Sequence, residues 1–110
     1  MSKDAVFAAL TGLLRPYAAD MIVKTDTASS LYIEEARSTG KPQLFGAVQI
    51  KKSYTSFHLF PVYTRPELLE GLAPSLRKRM QGKSCFNFTT IDQVPRDEVA
   101  ALIERAYRTL

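Results

Sequence analysis

The residues of this chain best suited to chemistry are its only histidine, His58, and its only cysteine, Cys85. His58 lies in a strand-like run over residues 54–60, Cys85 in a later one over residues 83–88. If the two strands share a sheet, alternation puts Tyr54, Ser56, His58 and Phe60 on one face with Cys85 and Asn87. A thiol becomes a nucleophile when a base or cation lowers its pKa, and His58 or Lys83 is placed to do so. The plainer reading is a packing cysteine beside a hydrogen-bonded histidine, because Cys85 sits between Ser84 and Phe86 in an apolar strand. No third orienting residue is evident from spacing.

Basic side chains offer a different chemistry. Arg77, Lys78 and Arg79 fall on an expected short helix close to Lys83, and Lys51 and Lys52 tip a hairpin. With Tyr54 and Tyr63 they could hold a phosphate or carboxylate, or a single-stranded nucleic acid by charge and stacking. The alternative is a solvated helix face and a charged hairpin tip that discourages sheet association. The net charge of +4 is modest and no nucleic-acid motif is present, so nucleic acid is not expected. Gly82-Lys83-Ser84 superficially suggests a phosphate loop. That motif needs a glycine where Arg77 stands, and a strand before the loop rather than a helix. A zinc set would need carboxylates at ligand spacing, and none is so placed.

These residues must be positioned by the elements around them. Val6, Phe7, Leu10, Leu13, Leu14 and Tyr17 recur at helical spacing, with Ser2 as N-cap, and Pro16 should end or distort that helix. Residues 21–25 and 30–33 read as short strands joined by a turn at Asp26, Thr27 and Ala28. Residues 34–42 read as an exposed loop, with Arg37, Ser38, Thr39, Gly40 and Pro42. In the run 44–50, Leu44, Gly46, Val48 and Ile50 should point one way and Phe45, Ala47 and Gln49 the other. Pairing of the next strand should stop at Pro61, which has no N–H to donate.

Thr64 and Glu67 have capping-box spacing, predicting a short helix through Leu69 closed near Gly71. Pro74 suits the first turn of another helix, ended by Gly82, with Leu76 and Met80 inward. Pro95 opens a last helix with Val99, Leu102, Ile103, Ala106 and Leu110 as its buried stripe. The order predicts an α+β domain: an antiparallel sheet of about five strands, helices 2–15 and 95–110 packed on one face, and two short helices before the last strand. The expected core is Val6, Phe7, Leu10, Leu14, Val23, Leu31, Val48, Ile50, Phe57, Leu59, Phe86, Phe88, Val99, Leu102 and Ile103.

Length allows one domain with a single core, residues 1–110. One cysteine excludes an internal disulfide and gives no sign of secretion. No apolar run is long enough to span a bilayer and no signal-peptide layout is present, so a cytoplasmic protein, without a membrane, is expected.

Three segments carry a family resemblance: residues 49–63 (QIKKSYTSFHLFPVY), Pro66-Glu67-Leu68-Leu69, and residues 78–88 (KRMQGKSCFNF). The chain from Val23 onward resembles the YdhG-like family of small bacterial domains, largely of unknown function. The resemblance implies an α+β fold. It also raises iron as a cofactor, because one relative is proposed to be a frataxin-like intracellular iron chaperone; it brings no catalytic residue. Frataxin-like iron binding uses a crowded acidic surface. Here the first helix holds only Asp4, and the other acids are scattered.

The sequence locates a site without naming a reaction. The reading it favours is a non-enzymatic binding domain with no cofactor, for a small anionic ligand or a protein partner, monomeric or homodimeric. The candidate binding residues are Tyr54, His58, Arg79, Lys83, Cys85 and Asn87. An iron chaperone and an enzyme using the Cys85/His58 pair are the alternatives. The polar sheet face that would carry them either stays open or is covered by residues 64–81 or another subunit.

Overall fold

Alternating burial along short β-rich segments produces a five-stranded antiparallel meander in the computed structural model, which describes residues 2–35 and 41–110. Helix α1 (Ser2–Leu14) is followed by a 3-10 turn, Arg15–Asp20, where Pro16 removes a helical donor. Strands β1 (Ile22–Asp26), β2 (Ser30–Glu35), β3 (Gln43–Ile50) and β4 (Thr55–Leu59) then pair in chain order. A one-and-a-half-turn helix α2 (Phe60–Thr64), a 3-10 turn (Pro66–Leu69) and helix α3 (Pro74–Arg77) lead to β5 (Cys85–Phe88). Helix α4 (Arg96–Tyr107) closes the chain, with Pro95 at its N-cap. The α+β architecture with its N- and C-terminal helices is the one expected. The roles read for the Ser2 side chain and for Arg37, Ser38, Thr39 and Gly40 lie outside the described residues.

One face of the sheet carries the core. Leu31, Ile33, Val48, Phe57, Leu59, Phe86 and Phe88 meet Val6, Leu10 and Leu14 of α1 and Val99, Leu102, Ile103 and Ala106 of α4. Burying each of these side chains other than Ala106 contributes about 1.5–3 kcal/mol of transfer free energy. Gly46 lets α1 approach β3, since a Cβ there would stand 3.0 Å from Leu14 Cδ1. The buried apolar residues of α1 and α4 all belong to this cluster, so the two long helices pack on this one face.

Several local expectations need correction. Val23 is expected in the core but is 46% exposed: it pairs with the buried Ile33, yet β1 is the edge strand of the sheet, beyond the cover of the helices. Ile50 is only half-buried. Phe45 was expected on the outer face. A bulge in the β2–β3 pair leaves Phe45 as an extra residue between Gly46 and Leu44, and it enters the core against Tyr17 and Tyr107. Tyr54 precedes β4 rather than belonging to it, and Phe60 begins α2, because Pro61 supplies a helical φ at the first turn.

The capping box does not form. Thr64 is the last residue of α2, and its hydroxyl donates to the Pro61 carbonyl instead. Helix α3 ends at Arg77, short of Gly82, so Lys78 and Arg79 are not on its regular part. Residues 79–81 run instead beside β5: Asn87 N–H donates to the Arg79 carbonyl, Gln81 N–H to the Cys85 carbonyl, and Met80 pairs with Phe86. Gly82 is therefore a turn residue at φ 92°, not a helix terminator.

Candidate functional site

The strand register collects the polar residues into rows on the sheet face opposite the helices. Tyr32, Ala47, His58 and Cys85 are successive cross-strand partners; Ser30, Gln49, Ser56 and Asn87 form the next row. Met80 packs against the core, so its neighbours Arg79 and Gln81 fall on the outer side, beside Asn87 and Cys85. Five of the six candidate residues, His58, Arg79, Cys85, Asn87 and Lys83, are thus at this end of the sheet. Tyr54 is not: it sits at the β3–β4 hairpin, four residues along the strand from His58, or roughly 13 Å. Lys51 and Lys52 share that distant hairpin, where their carbonyls accept from Lys3 Nζ at 3.0 and 2.7 Å.

At the end of β4 the face becomes a recess of about 390 Å³, lined by His58, Phe60, Tyr63, Gln81, Gly82, Lys83, Ser84 and Cys85. His58 Nδ1 lies 2.7 Å from Cys85 Sγ, and His58 Nε2 lies 3.1 Å from Ser84 Oγ. The imidazole is stacked on Phe60, with 6.5 Å between centroids and 14° between planes, and Phe60 on Tyr63 at 5.7 Å and 30°. Lys83 Nζ stands 5.8 Å from the Tyr63 centroid, within cation–π range. The recess therefore has an aromatic wall, a cation at its rim and a thiol–imidazole pair at its base. Ser84, only 4% exposed, is the orienting group that spacing did not reveal. Its position immediately before Cys85 was the available signal.

Burial decides the protonation of the pair. It holds the His58 imidazole below its ordinary 6.5 and pushes the Cys85 thiol above its ordinary 9.0, with the Lys51 charge opposing the second shift. Both groups are neutral at pH 7. With the thiol protonated, Sγ–H donates to Nδ1 and Nε2–H donates to Ser84 Oγ, which gives both ring nitrogens a partner.

A pH window follows by linkage. Below pH 6.5 the unfolded histidine takes up a proton before the folded one, so the stability contributed by neutral burial falls with acidification. Above pH 9.0 the unfolded thiol loses its proton first, so stability falls there as well. Urea midpoints measured across this range should be flat between those limits, and His58→Gln should remove the decline just below pH 6.5. Superimposable acid limbs for the two proteins would contradict this account.

Arg79 Nε is buried without a hydrogen-bond partner, which leaves one donor of that guanidinium unused on the same face. A second, broader depression of about 1130 Å³ is lined by Asp20, Glu35, Phe60, Arg65, Glu67 and Arg108 among others. Its charges are mixed and it holds none of the six candidate residues, so the smaller recess is the better site. Among the described residues no three His, Cys, Asp or Glu side chains converge as a metal set, and no helix is long and apolar enough to cross a membrane. Compared with protein-family models, curated proteins and solved structures, the chain matches none.

Proposed function

We propose that this chain is a binding domain for a small anionic ligand, seated in the recess beside His58. The observation that supports this most is the convergence of an aromatic wall, Phe60 and Tyr63, with the Lys83 ammonium over the same opening. A planar or apolar ligand body would lie on the Phe60 ring, and its carboxylate or phosphate would meet Lys83. His58 and Cys85 form the floor, and their neutrality suits an apolar ligand body better than a second charge. Arg79 and Asn87, one row away on the same face, are placed to contact a longer ligand. A cytoplasmic setting and membership of the YdhG-like family belong to this proposal. Iron binding rests on the family resemblance alone.

The test is calorimetric titration with aromatic carboxylates, aryl phosphates and nucleotides, after a thermal-shift screen of the same compounds. At least one should bind, and Phe60→Ala and Lys83→Ala should each weaken it about tenfold, equivalent to about 1.4 kcal/mol. Binding that survives both substitutions, or no binding across the panel, would defeat the reading. Tyr63, 50% exposed, should matter less than Phe60 because much of its ring stays wet in either state.

A further inference from the structure

We propose that Cys85 is a nucleophile that accepts an acyl group from a thioester or activated ester, with His58 as general base and Ser84 as the residue that positions the imidazole. This goes beyond ligand binding and does not depend on it, since a small neutral ester needs no anion contact. The geometry is that of an activated nucleophile: thiol and base within hydrogen-bond reach at 2.7 Å, and the base held on its far nitrogen by a third group at 3.1 Å. The three groups line an open recess with room for a small acyl donor, and Phe60 fixes the imidazole plane by stacking. A cysteine that merely packs needs neither a base at its sulfur nor a solvent-open cavity beside it.

The step balances without a further reactant. Cys85 Sγ attacks the acyl carbon as its proton passes to His58 Nδ1, giving a tetrahedral intermediate and an imidazolium whose Nε2–H is held by Ser84 Oγ. The C–O or C–S bond to the leaving group then breaks, and the departing alkoxide or thiolate takes the proton from Nδ1. The products are S-acyl-Cys85 and an alcohol or thiol. Because the resting pair is neutral, the proton moves during the attack rather than before it. Among the described residues, the charged or titratable groups facing the pair include Lys83 and Tyr63 on the recess wall and Tyr32 and Arg79 on the same sheet face, with Lys51 acting from a distance.

The experiment uses the full chain and p-nitrophenyl acetate, following p-nitrophenolate release and locating the acetyl group by peptide mass. One acetyl group should appear on Cys85, and none should appear there in Cys85→Ser. Between about pH 7 and 8.5 the wild-type rate should be nearly constant, because neutral His58 supplies the base throughout. In His58→Gln, which keeps a hydrogen-bonding amide of similar size, the rate at pH 7 should fall about tenfold or more and then rise with the thiolate fraction. Ser84→Ala should move the acid inflection of the profile to lower pH, because the imidazolium loses its acceptor. Acetylation confined to lysines, a wild-type rate that climbs about tenfold per pH unit like a free thiol, or an undiminished rate in folded His58→Gln would each overturn the proposal.

Discussion

Replacing Phe45 by alanine is expected to destabilise the protein by about 3–5 kcal/mol, the range for emptying a fully buried aromatic site. Simple strand alternation expects the reverse, a tolerant position on the outer face, where substitutions usually fall within about 0.5 kcal/mol. The bulge decides between them. Phe45 is the unpaired residue opposite the Ile33–Glu34 step, and its ring is fully buried, 6.2 Å from Tyr107 at 88° and 6.4 Å from Tyr17. Those tyrosines are themselves tied down: Tyr17 Oη donates to Glu104 at 2.6 Å, which raises the Tyr17 phenol to about 12, and Tyr107 Oη donates to Asp20 at 2.6 Å. The cluster therefore cannot collapse freely into the space left by Phe45. Urea denaturation of Phe45→Ala, with Val23→Ala as the exposed control, checks the assignment. A cost under about 1 kcal/mol at Phe45 would mean that the β2–β3 register lacks the bulge.

The same residue shows why the sequence could be read only in part. Periodicity marks α1 and α4 clearly, since Leu10, Leu14, Val99, Leu102, Ile103 and Ala106 repeat at helical spacing and are all buried. Alternation likewise places Phe57 and Leu59 inward and Ser56 and His58 outward, and the pairing of His58 with Cys85 follows once β4 and β5 are neighbours. Bulges leave no comparable mark, because an inserted residue changes face without changing composition; Phe45 departs from simple alternation for that reason, whereas Val23 is exposed because β1 is the sheet edge. Residues 79–81 were read as helix because Pro74 and Gly82 look like its two ends. Backbone pairing to β5 outweighed that local preference, and it brought Arg79 to Asn87 and Gln81 to Cys85. The candidate site was thus legible where it depended on strand alternation. It was not legible where it depended on the turn at Gly82 or on Ser84, whose hydroxyl reaches His58 only in three dimensions.

Phe57→Ala should be as damaging as Phe45→Ala, at about 3–5 kcal/mol, and it should also loosen the site on the other side of the sheet. Phe57 and Phe86 are cross-strand partners, fully buried, with ring centroids 6.0 Å apart. Each immediately adjoins a member of the thiol–imidazole pair, Phe57 before His58 and Phe86 after Cys85. The inward rings therefore anchor the backbone that sets the outward distance of 2.7 Å between Nδ1 and Sγ. Because the rings touch, the double alanine variant should cost less than the sum of the singles, by about 0.5–1.5 kcal/mol for the aromatic pair. Against a total stability of about 5–15 kcal/mol the singles should remain folded at low temperature, so the site can be read in them. In Phe57→Ala the His58 imidazole should titrate closer to its ordinary 6.5 by NMR, as the recess admits water and burial no longer opposes the charge. Phe57→Leu, which fills most of the space, should leave that titration near the wild-type position. An unchanged His58 titration in Phe57→Ala would show that Ser84 and Phe60 hold the imidazole without help from the core, and would move the origin of the site's rigidity from the sheet to the recess wall.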